Sequence, residues 1–489
     1  MEERCEDIRL AIFNRRRRRI ESEGQSLGID IPIDRILPAV DAMGILEEPS
    51  LICEIKRSSP SKGVISGDLD PVAQAGIYHE KGVRIVSVLT EEDYFNGSLK
   101  DLMDVKEAYP DLSVLRKDFL YCREDIDISF RAGADLVLLI ASLLTVSEIT
   151  DLYEYTLSKG MTPLVELHGD DDIVKVRDLK PLLTGINCRN LKNFTIDRLF
   201  PIRQKQKIDW DPILVYESGI WGEEDAYLAG NHGFQALLIG ESVVRDPKRI
   251  PQIITGLQGG VRSDEGQKRF WETITARGKL SYPLVKICGI TNRADAEYAV
   301  ELGADILGFI FADSPRETSK ELLKTLDDID VLKVAVVVNA HRDTRRYEKV
   351  RQLLEEGSID AIQFHGEEDP ERCFRLGFPY YKAVRLKDRK SVESMGEYHA
   401  PRVLIDAYHP TQHGGTGKQI DAELVEAAAE KHHLWLAGGI EPENIADLLK
   451  RFEPELIDIS SGVEAFPGKK DHMRLKMLFE EIEGYYEHK

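Results

Sequence analysis

Two tandem (β/α)8 barrels of the α/β class are the fold this chain predicts, and three observations predict it. Beyond residue 50, short β-branched runs alternate with longer amphipathic stretches, the pattern of repeated βα units around a parallel sheet. The runs number eight and then eight again, each set spread over about 200 residues, as one such barrel requires. Each set also ends on the same punctuation: "YESGI" (216–220) precedes "ALLIGES" (236–242), and "LWLAGGI" (434–440) precedes "ELIDISSG" (455–462).

In chain order the first feature is "RRRRR", Arg15 to Arg19. Five like charges on a helix cannot all face one way, so the run reads as a solvated helical face; a nucleic-acid tail, or contact with an anionic substrate or the neighbouring domain, are the alternatives. Strands follow at 51–56, 84–90, 112–117, 135–141, 162–167, 182–188, 213–218 and 236–240. The second set is predicted at 284–288, 306–311, 334–339, 360–366, 380–384, 402–407, 434–438 and 456–460. Between them the polar, glycine-containing stretch from Thr255 to Lys279 marks a boundary, giving a first domain at 1–255, a linker at 256–281 and a second domain at 282–489. A pair of open doubly wound sheets is the main competing architecture.

Composition narrows the function. At 489 residues and 42% hydrophobic the chain exceeds one ordinary core, and two large barrels fit its length. A formal net charge of -21 disfavours a nucleic-acid surface, so small anionic substrates would need locally basic pockets. Cys5, Cys53, Cys122, Cys188, Cys288 and Cys373 are scattered without a CxxC pair, which fits reduced thiols rather than a disulfide scaffold or zinc ribbon. The start lacks the apolar core of a signal peptide and no run reaches the length of a membrane span, so the expected compartment is the cytoplasm.

The paired punctuation points to phosphate. Loops after the seventh and eighth strands of such barrels present backbone N–H groups and a short helix N-terminus to a phosphate, and glycine permits close approach. Gly219, Gly240 and Ser242 fit that role in the first half; Gly438, Gly439, Ser460, Ser461 and Gly462 fit it in the second. Tight turns alone would also use Ser-Gly pairs, but both halves carry them at matching strand ends.

Side chains two apart on a strand share a face, so Glu54 and Lys56 in "CEIKRSSPSKG" point together into the mouth of the first barrel. Lys117, Glu166, Asn187, Arg189, Glu217 and Ser218 lie near other strand ends. Charges of both signs there must pair or react, as a structural ion-pair layer or as a reaction site. The ordered motifs "EIKRSSPSKG", "VLTEEDYFNGS", "LRKDF", "LVELH", "GINCRNL", "ESGI" and "LIGES" resemble indole-3-glycerol-phosphate synthase. The resemblance implies closure of an indole ring on a carboxyphenylamino-deoxyribulose phosphate, with loss of carbon dioxide and water, and a helical extension at 1–50 covering the mouth. It also implies roles: Lys117 as general acid, Glu166 as base for dehydration, Glu54 holding the lysines, and Lys56 near the substrate carboxylate. Asn187, counted with this catalytic set, would act with Arg189, Glu217 and Ser218 on the anilino part and hydroxyls; Ser58, Gly219, Gly240 and Ser242 would approach the phosphate. The sequence departs from the family at "DFLYCREDI", where Glu124 and Asp125 stand for an expected Tyr and Gln, and no site role is assigned there.

In the second half Cys288 ends a strand just before a glycine, in a mouth shared with Arg316, His365 and Asp406. Inert packing is the ordinary fate of such a cysteine. The stretches "VKICGIT", "GADILGFIFADSPR", "HGGTGKQID", "LAGGI" and "DISSGVEAFPGKKD" resemble phosphoribosylanthranilate isomerase. That resemblance implies an Amadori rearrangement whose product is the first barrel's substrate. Asp406 would be the general acid and Cys288 the general base, Arg316 would hold the anthranilate carboxylate, and Gly415, Thr416, Gly417, Gly439 and Ser461 would make phosphate and loop contacts. His365 either lines the site or is a satisfied core histidine. Neither reaction calls for a cofactor, and no His, Cys and carboxylate cluster has metal spacing. Partners would be small phosphorylated anions, with neither nucleic acid nor membrane, and the resemblance leaves room for transient contact with other tryptophan-pathway enzymes. The rival readings are a pair of histidine-pathway sugar-phosphate isomerases, which would carry an aspartate pair instead of Cys288 with Asp406, and a barrel kept only as a phosphate-binding scaffold.

Overall fold

The computed structural model describes residues 7–487 apart from 61–62, 191–193, 264–267, 278–281, 339–343, 374–376 and 407–421. Its strands form two closed parallel barrels of eight. The first comprises Ser50–Ile55, Ile85–Leu89, Ser113–Lys117, Leu136–Ile140, Thr162–Leu167, Leu183–Asn187, Ile213–Glu217 and Ala236–Ile239. Closure comes from pairing of its first strand with its eighth, Ser50 opposite Ala236 through Cys53 opposite Ile239. The second comprises Leu284–Cys288, Ile306–Phe311, Leu332–Val337, Ala361–Phe364, Tyr380–Arg385, Val403–Asp406, Trp435–Ala437 and Leu456–Ile459, closed by Leu284 opposite Leu456.

All sixteen predicted strands therefore exist. One is displaced: the third strand of the second barrel begins at Leu332, two residues before the predicted start. Lys333, in the added stretch, buries its stem and sends Nζ to the Ile329 carbonyl at 3.0 Å. Two short hairpins, Ser58–Ser59 with Gly63–Val64 and Glu464–Phe466 with Lys469–Lys470, were too brief to show any alternation in the sequence.

The chain divides into two compact units, 1–263 and 264–489. The segment read as a linker at 256–281 instead contains the end of the helix Ile250–Val261 and the whole helix Arg269–Arg277. That second helix closes the N-terminal end of the second barrel with aromatic rings. Phe270 stacks on Tyr381 at 6.1 Å and Trp271 lies 6.1 Å from Trp435, both partners standing at the starts of their strands. The first barrel has a smaller counterpart in Ala42–Ile45, where Ala42 and the following Leu46 join the core of Ile52, Ile85, Leu136, Leu164 and Leu183.

At the other end lies the helix Ile8–Glu23, started by the Asp7 side chain accepting from the Arg9 N–H. Ile12, Phe13 and Ile20 form its buried face. Arg16 sits on that face too, only 4% exposed, with Nε 2.7 Å from Asp118 and Nη2 3.0 Å from Asp125. Arg116 also pairs with Asp118, at 2.9 Å. The arginine run is thus split: Arg16 anchors the helix, Arg15 and Arg19 reach Asp93 and Glu92, and Arg18 remains exposed. No described helix is long and apolar enough to cross a membrane.

Candidate active sites

The mouth of the first barrel is a cavity lined from all eight strand ends, six of them through Glu54, Lys117, Glu166, Asn187, Glu217 and Gly240, with Lys56, Arg189, Ser218, Gly219 and Ser242 just beyond them. Ile8, Arg9 and Ile12 of the N-terminal helix complete its wall, and Phe95, Phe119, Phe194 and Trp221 supply aromatic surface. Lys117 is the hub. Its Nζ stands 2.8 Å from Glu217 Oε2 and 3.2 Å from Glu166 Oε2. Lys56 pairs with Glu54, and His168 Nε2 lies 2.8 Å from Glu166 Oε1.

Burial alone would drive Lys117 toward its neutral form, but Glu217, Glu166 and Glu54 outweigh it and raise its pKa. The two carboxylates beside it are driven apart. Burial and the charge of Glu166 push Glu217 up to about 8, against the pull of Lys117. Burial opposes ionisation of Glu166 as well, yet Lys117 and His168 hold it well below the usual carboxylate range. One buried site thus combines an ionised carboxylate, a carboxyl that keeps its proton at neutral pH, and an ammonium between them.

The end of the cavity that the sequence predicts to take phosphate is built from backbone. Ser218 and Gly219 both occupy the left-handed region, at φ +69° and +70°. A Cβ at Gly219 would stand 2.7 Å from Cys188 Sγ, and one at Gly240 would stand 2.6 Å from Glu54 Oε1. Both positions need glycine because a side chain would displace its neighbour. Ser58 does not line this cavity. Its hydroxyl donates to the Tyr94 carbonyl at 2.9 Å, and the adjacent Ser59 faces the cavity instead. The Ser242 hydroxyl likewise donates to the Ile220 carbonyl, at 2.8 Å.

In the second barrel Cys288 and Asp406 stand at the ends of the first and sixth strands. Gly289, at φ +79°, lets the chain turn tightly after Cys288, where a Cβ would lie 3.0 Å from Arg316 Cδ. Arg316 is clasped by Glu464, with Nε at 2.9 and 3.0 Å and Nη2 at 2.6 Å from the carboxylate. Burial pushes the Cys288 thiol up, while Lys286 and Lys470 oppose it.

Asp406 belongs to a chain of hydrogen bonds whose direction can be assigned. Gln363 Oε1 accepts from Lys286 Nζ at 2.6 Å and from the Tyr381 hydroxyl at 2.9 Å, so its amide nitrogen must face the other way. That nitrogen donates to His365 Nδ1 at 2.8 Å, which leaves the imidazole proton on Nε2. Nε2 in turn lies 3.1 Å from Asp406 Oδ2. His365 is therefore a neutral donor to Asp406, and a proton carried by Asp406 sits on the other carboxyl oxygen.

Gly438 and Gly439 follow the seventh strand at φ +93° and +65°, and exposed Ser461 opens the turn Ser461–Val463 after the eighth, where the sequence predicts phosphate contacts. A Cβ at Gly462 would collide with the Ile440 carbonyl oxygen, so this glycine lets the two loops pack together. Gly415, Thr416 and Gly417 lie outside the described residues.

Residues 11–253 match the family of indole-3-glycerol phosphate synthase, and residues 285–481 that of N-(5'-phosphoribosyl)anthranilate isomerase. The tryptophan biosynthesis protein TrpCF of Vibrio parahaemolyticus is 31% identical over 447 residues, which cover 89% of this chain and 85% of that protein. The chain belongs to this tandem synthase–isomerase family. An indole-3-glycerol phosphate synthase of Streptomyces coelicolor is 42% identical over 215 residues, 43% of this chain and 80% of that one. A multifunctional tryptophan biosynthesis protein of Schizosaccharomyces pombe is 31% identical over 469 residues, which cover 89% of this chain but 59% of the longer protein. The chain spans about three fifths of the length of the multifunctional relatives it matches.

Several residues of the synthase and isomerase mouths escaped sequence reasoning. His168 stands two residues beyond Glu166, Lys286 two before Cys288 and Gln363 two before His365. The same two-residue rule that joined Glu54 to Lys56 would have found all three. Asp458 and Glu464 had no such signal, because their partners come from distant strands and loops.

Proposed function

We propose that the chain carries out two consecutive steps of tryptophan biosynthesis, isomerising N-(5'-phosphoribosyl)anthranilate in the second barrel and closing the indole ring of the resulting ketose phosphate in the first. The observation that carries this reading is that each mouth holds a complete acid and base pair of different chemistry: Lys117 against Glu166, and Asp406 against Cys288.

In the isomerase step Asp406 gives its proton to the ribose ring oxygen as the bond from that oxygen to C1' breaks. The anilino nitrogen supplies the electron pair for a C1'–N double bond, and the new Asp406 carboxylate gains the His365 Nε2–H as donor. Cys288 thiolate then removes the C2' proton, the electrons forming a C1'–C2' double bond. The resulting enaminol tautomerises to the ketose. Arg316, already oriented by Glu464, is suited to the anthranilate carboxylate.

In the synthase step the carboxyl-bearing ring carbon attacks the ketose carbonyl while Lys117 protonates the developing alkoxide. Carbon dioxide departs and leaves its electron pair to restore the aromatic ring. The hydroxyl then leaves C2' as water with a proton from Lys56, and Glu166 takes a proton from the C1' methylene, whose electrons form the C1'–C2' double bond of the indole while the nitrogen keeps its hydrogen. The ionised state of Glu166 supports its role as base. Asn187, Arg189, Glu217 and Ser218 orient the anilino part and hydroxyls. Gly219, Gly240 and Ser242 offer backbone N–H groups to phosphate, as Gly439 and Ser461 do in the isomerase. The setting of both reactions is the cytoplasm, with transient contacts to other enzymes of the pathway; the multifunctional relatives, which carry both regions within longer chains, support that part.

Single substitutions test the division of labour. Lys117→Ala should lower ring closure by about 10²-fold or more, the scale of a lost general acid, while leaving isomerisation intact. Cys288→Ala should do the reverse. Separate assays with phosphoribosylanthranilate and with the ketose phosphate read the two rates; loss of both from either change would sink the assignment.

A further inference from the structure

Beneath the strand end that carries Cys288 the isomerase barrel holds a charged layer that the proposed reaction does not use. Lys286 lies two residues before Cys288 on the same strand, so both side chains leave the same face. It is fully buried, a costly place for an ammonium unless it is paired and hydrogen-bonded. Its Nζ stands 2.6 Å from Asp458 Oδ2 on the eighth strand and 2.6 Å from Gln363 Oε1 on the fourth. On the second strand Gly308 stands opposite Cys288 in the register. A Cβ there would lie 2.7 Å from Cys288 Sγ and 3.0 Å from Lys286 Cε. The bare glycine leaves the space in which thiol and lysine meet.

Other charged or titratable groups reach Cys288 from the elements around it. Asp458 comes from the eighth strand, Tyr381 from the fifth, Lys470 and Glu464 from the hairpin after the eighth, and Arg316 from the loop after the second. Lys470 directs its donors to the carbonyls of Cys288 and Ser460 at 2.6 and 3.0 Å and to Glu464 at 3.2 Å. Arg316 is held by the same Glu464. Lys286 is the cation that shares both strand and face with the sulfur.

We propose that Lys286 is a positioning residue of the isomerase site, a buried ammonium paired with Asp458 that stabilises the thiolate form of Cys288. The proposal rests on Cys288 being the base of the isomerisation. A neighbouring cation favours a thiolate and apolar burial disfavours it, so without Lys286 the thiolate of Cys288 would be harder still to form.

Ultraviolet thiolate absorbance, titrated in the full chain and in each variant against its own Cys288→Ser counterpart, isolates the signal of this cysteine. Asp458→Asn leaves the ammonium unopposed and should lower the thiol midpoint below that of the unmodified chain. Lys286→Met combined with Asp458→Asn removes both charges and should raise the midpoint above that of Asp458→Asn by about one pH unit or more, a tenfold difference in thiolate. Coincident midpoints, or the reverse order, would overturn the proposal. If the double variant fails to fold, Lys286→Gln alone takes its place and should raise the midpoint above that of the unmodified chain; an unchanged or lowered midpoint would overturn the proposal. The acid limb of isomerisation kcat/KM should move with the thiol midpoint. A midpoint that moves while the limb stays would remove Cys288 as the base, yet leave the hold of Lys286 on the thiol established.

Discussion

At the scale of single residues, the first mouth sets neighbouring groups to opposite protonation states. In the synthase barrel Glu217 keeps a proton up to about 8, through burial and the charge of Glu166, while Glu166 stays ionised. The unfolded chain would release the Glu217 proton near about 4.3. Between those values the native state binds more protons than the unfolded state, so this group lowers stability as pH rises through the window. Glu166 acts oppositely, its contribution present above the ordinary carboxylate pKa and lost as pH falls through its depressed value. Glu217→Gln should therefore remove a decline in first-barrel stability between about pH 5 and 8. Urea unfolding at a series of pH values, read by proteolysis of first-barrel peptides, checks this; an unchanged slope would mean that Glu217 is ionised in the native state. The residues of this mouth were legible because strand alternation and strand ends locate them. Lys286 and Gln363 were not read, since a lysine or glutamine within an apolar run looks like an outward-facing residue until the closed barrel gives it a partner on the far side.

At the scale of elements, the N-terminal helix ties a structural anchor to the catalytic strand. Arg16 pairs with Asp118, the residue after Lys117, and with Asp125, which stands where the synthase family pattern suggests Gln. Arg16→Met would leave Asp125 buried without its cation, a loss of about 3–5 kcal/mol for breaking such a pair. Amide exchange over Ile8–Glu23 should accelerate, and ring closure should fall as Ile8, Arg9 and Ile12 no longer cover the cavity, with isomerisation unaffected. Unchanged protection of this helix would show that its apolar face alone docks it. The sequence contained the clue in the four-residue spacing of Ile12, Arg16 and Ile20, but an arginine run invites a solvated reading. The helix Arg269–Arg277 was missed for a related reason: polar and glycine-rich flanks disguised Phe270 and Trp271, whose role is to plug a barrel whose strands lie further along the chain.

At the scale of the whole molecule, the chain repeats one architecture and places different titratable side chains at the mouth of each copy. Strand count, strand order and the glycines after the last two strands of each barrel were legible because they follow from local periodicity and backbone geometry. Which charges face each other across a barrel was not, because that depends on closure. The central claim is that both mouths are competent and that the product of one is the substrate of the other. A fluorescence time course tests it most directly, with freshly generated phosphoribosylanthranilate supplied to the purified chain while anthranilate-type emission and indole-glycerol phosphate are followed together. The account predicts complete conversion to the indole product through a transient ketose phosphate. Accumulation of the ketose without indole, or no consumption of the starting compound, would contradict it.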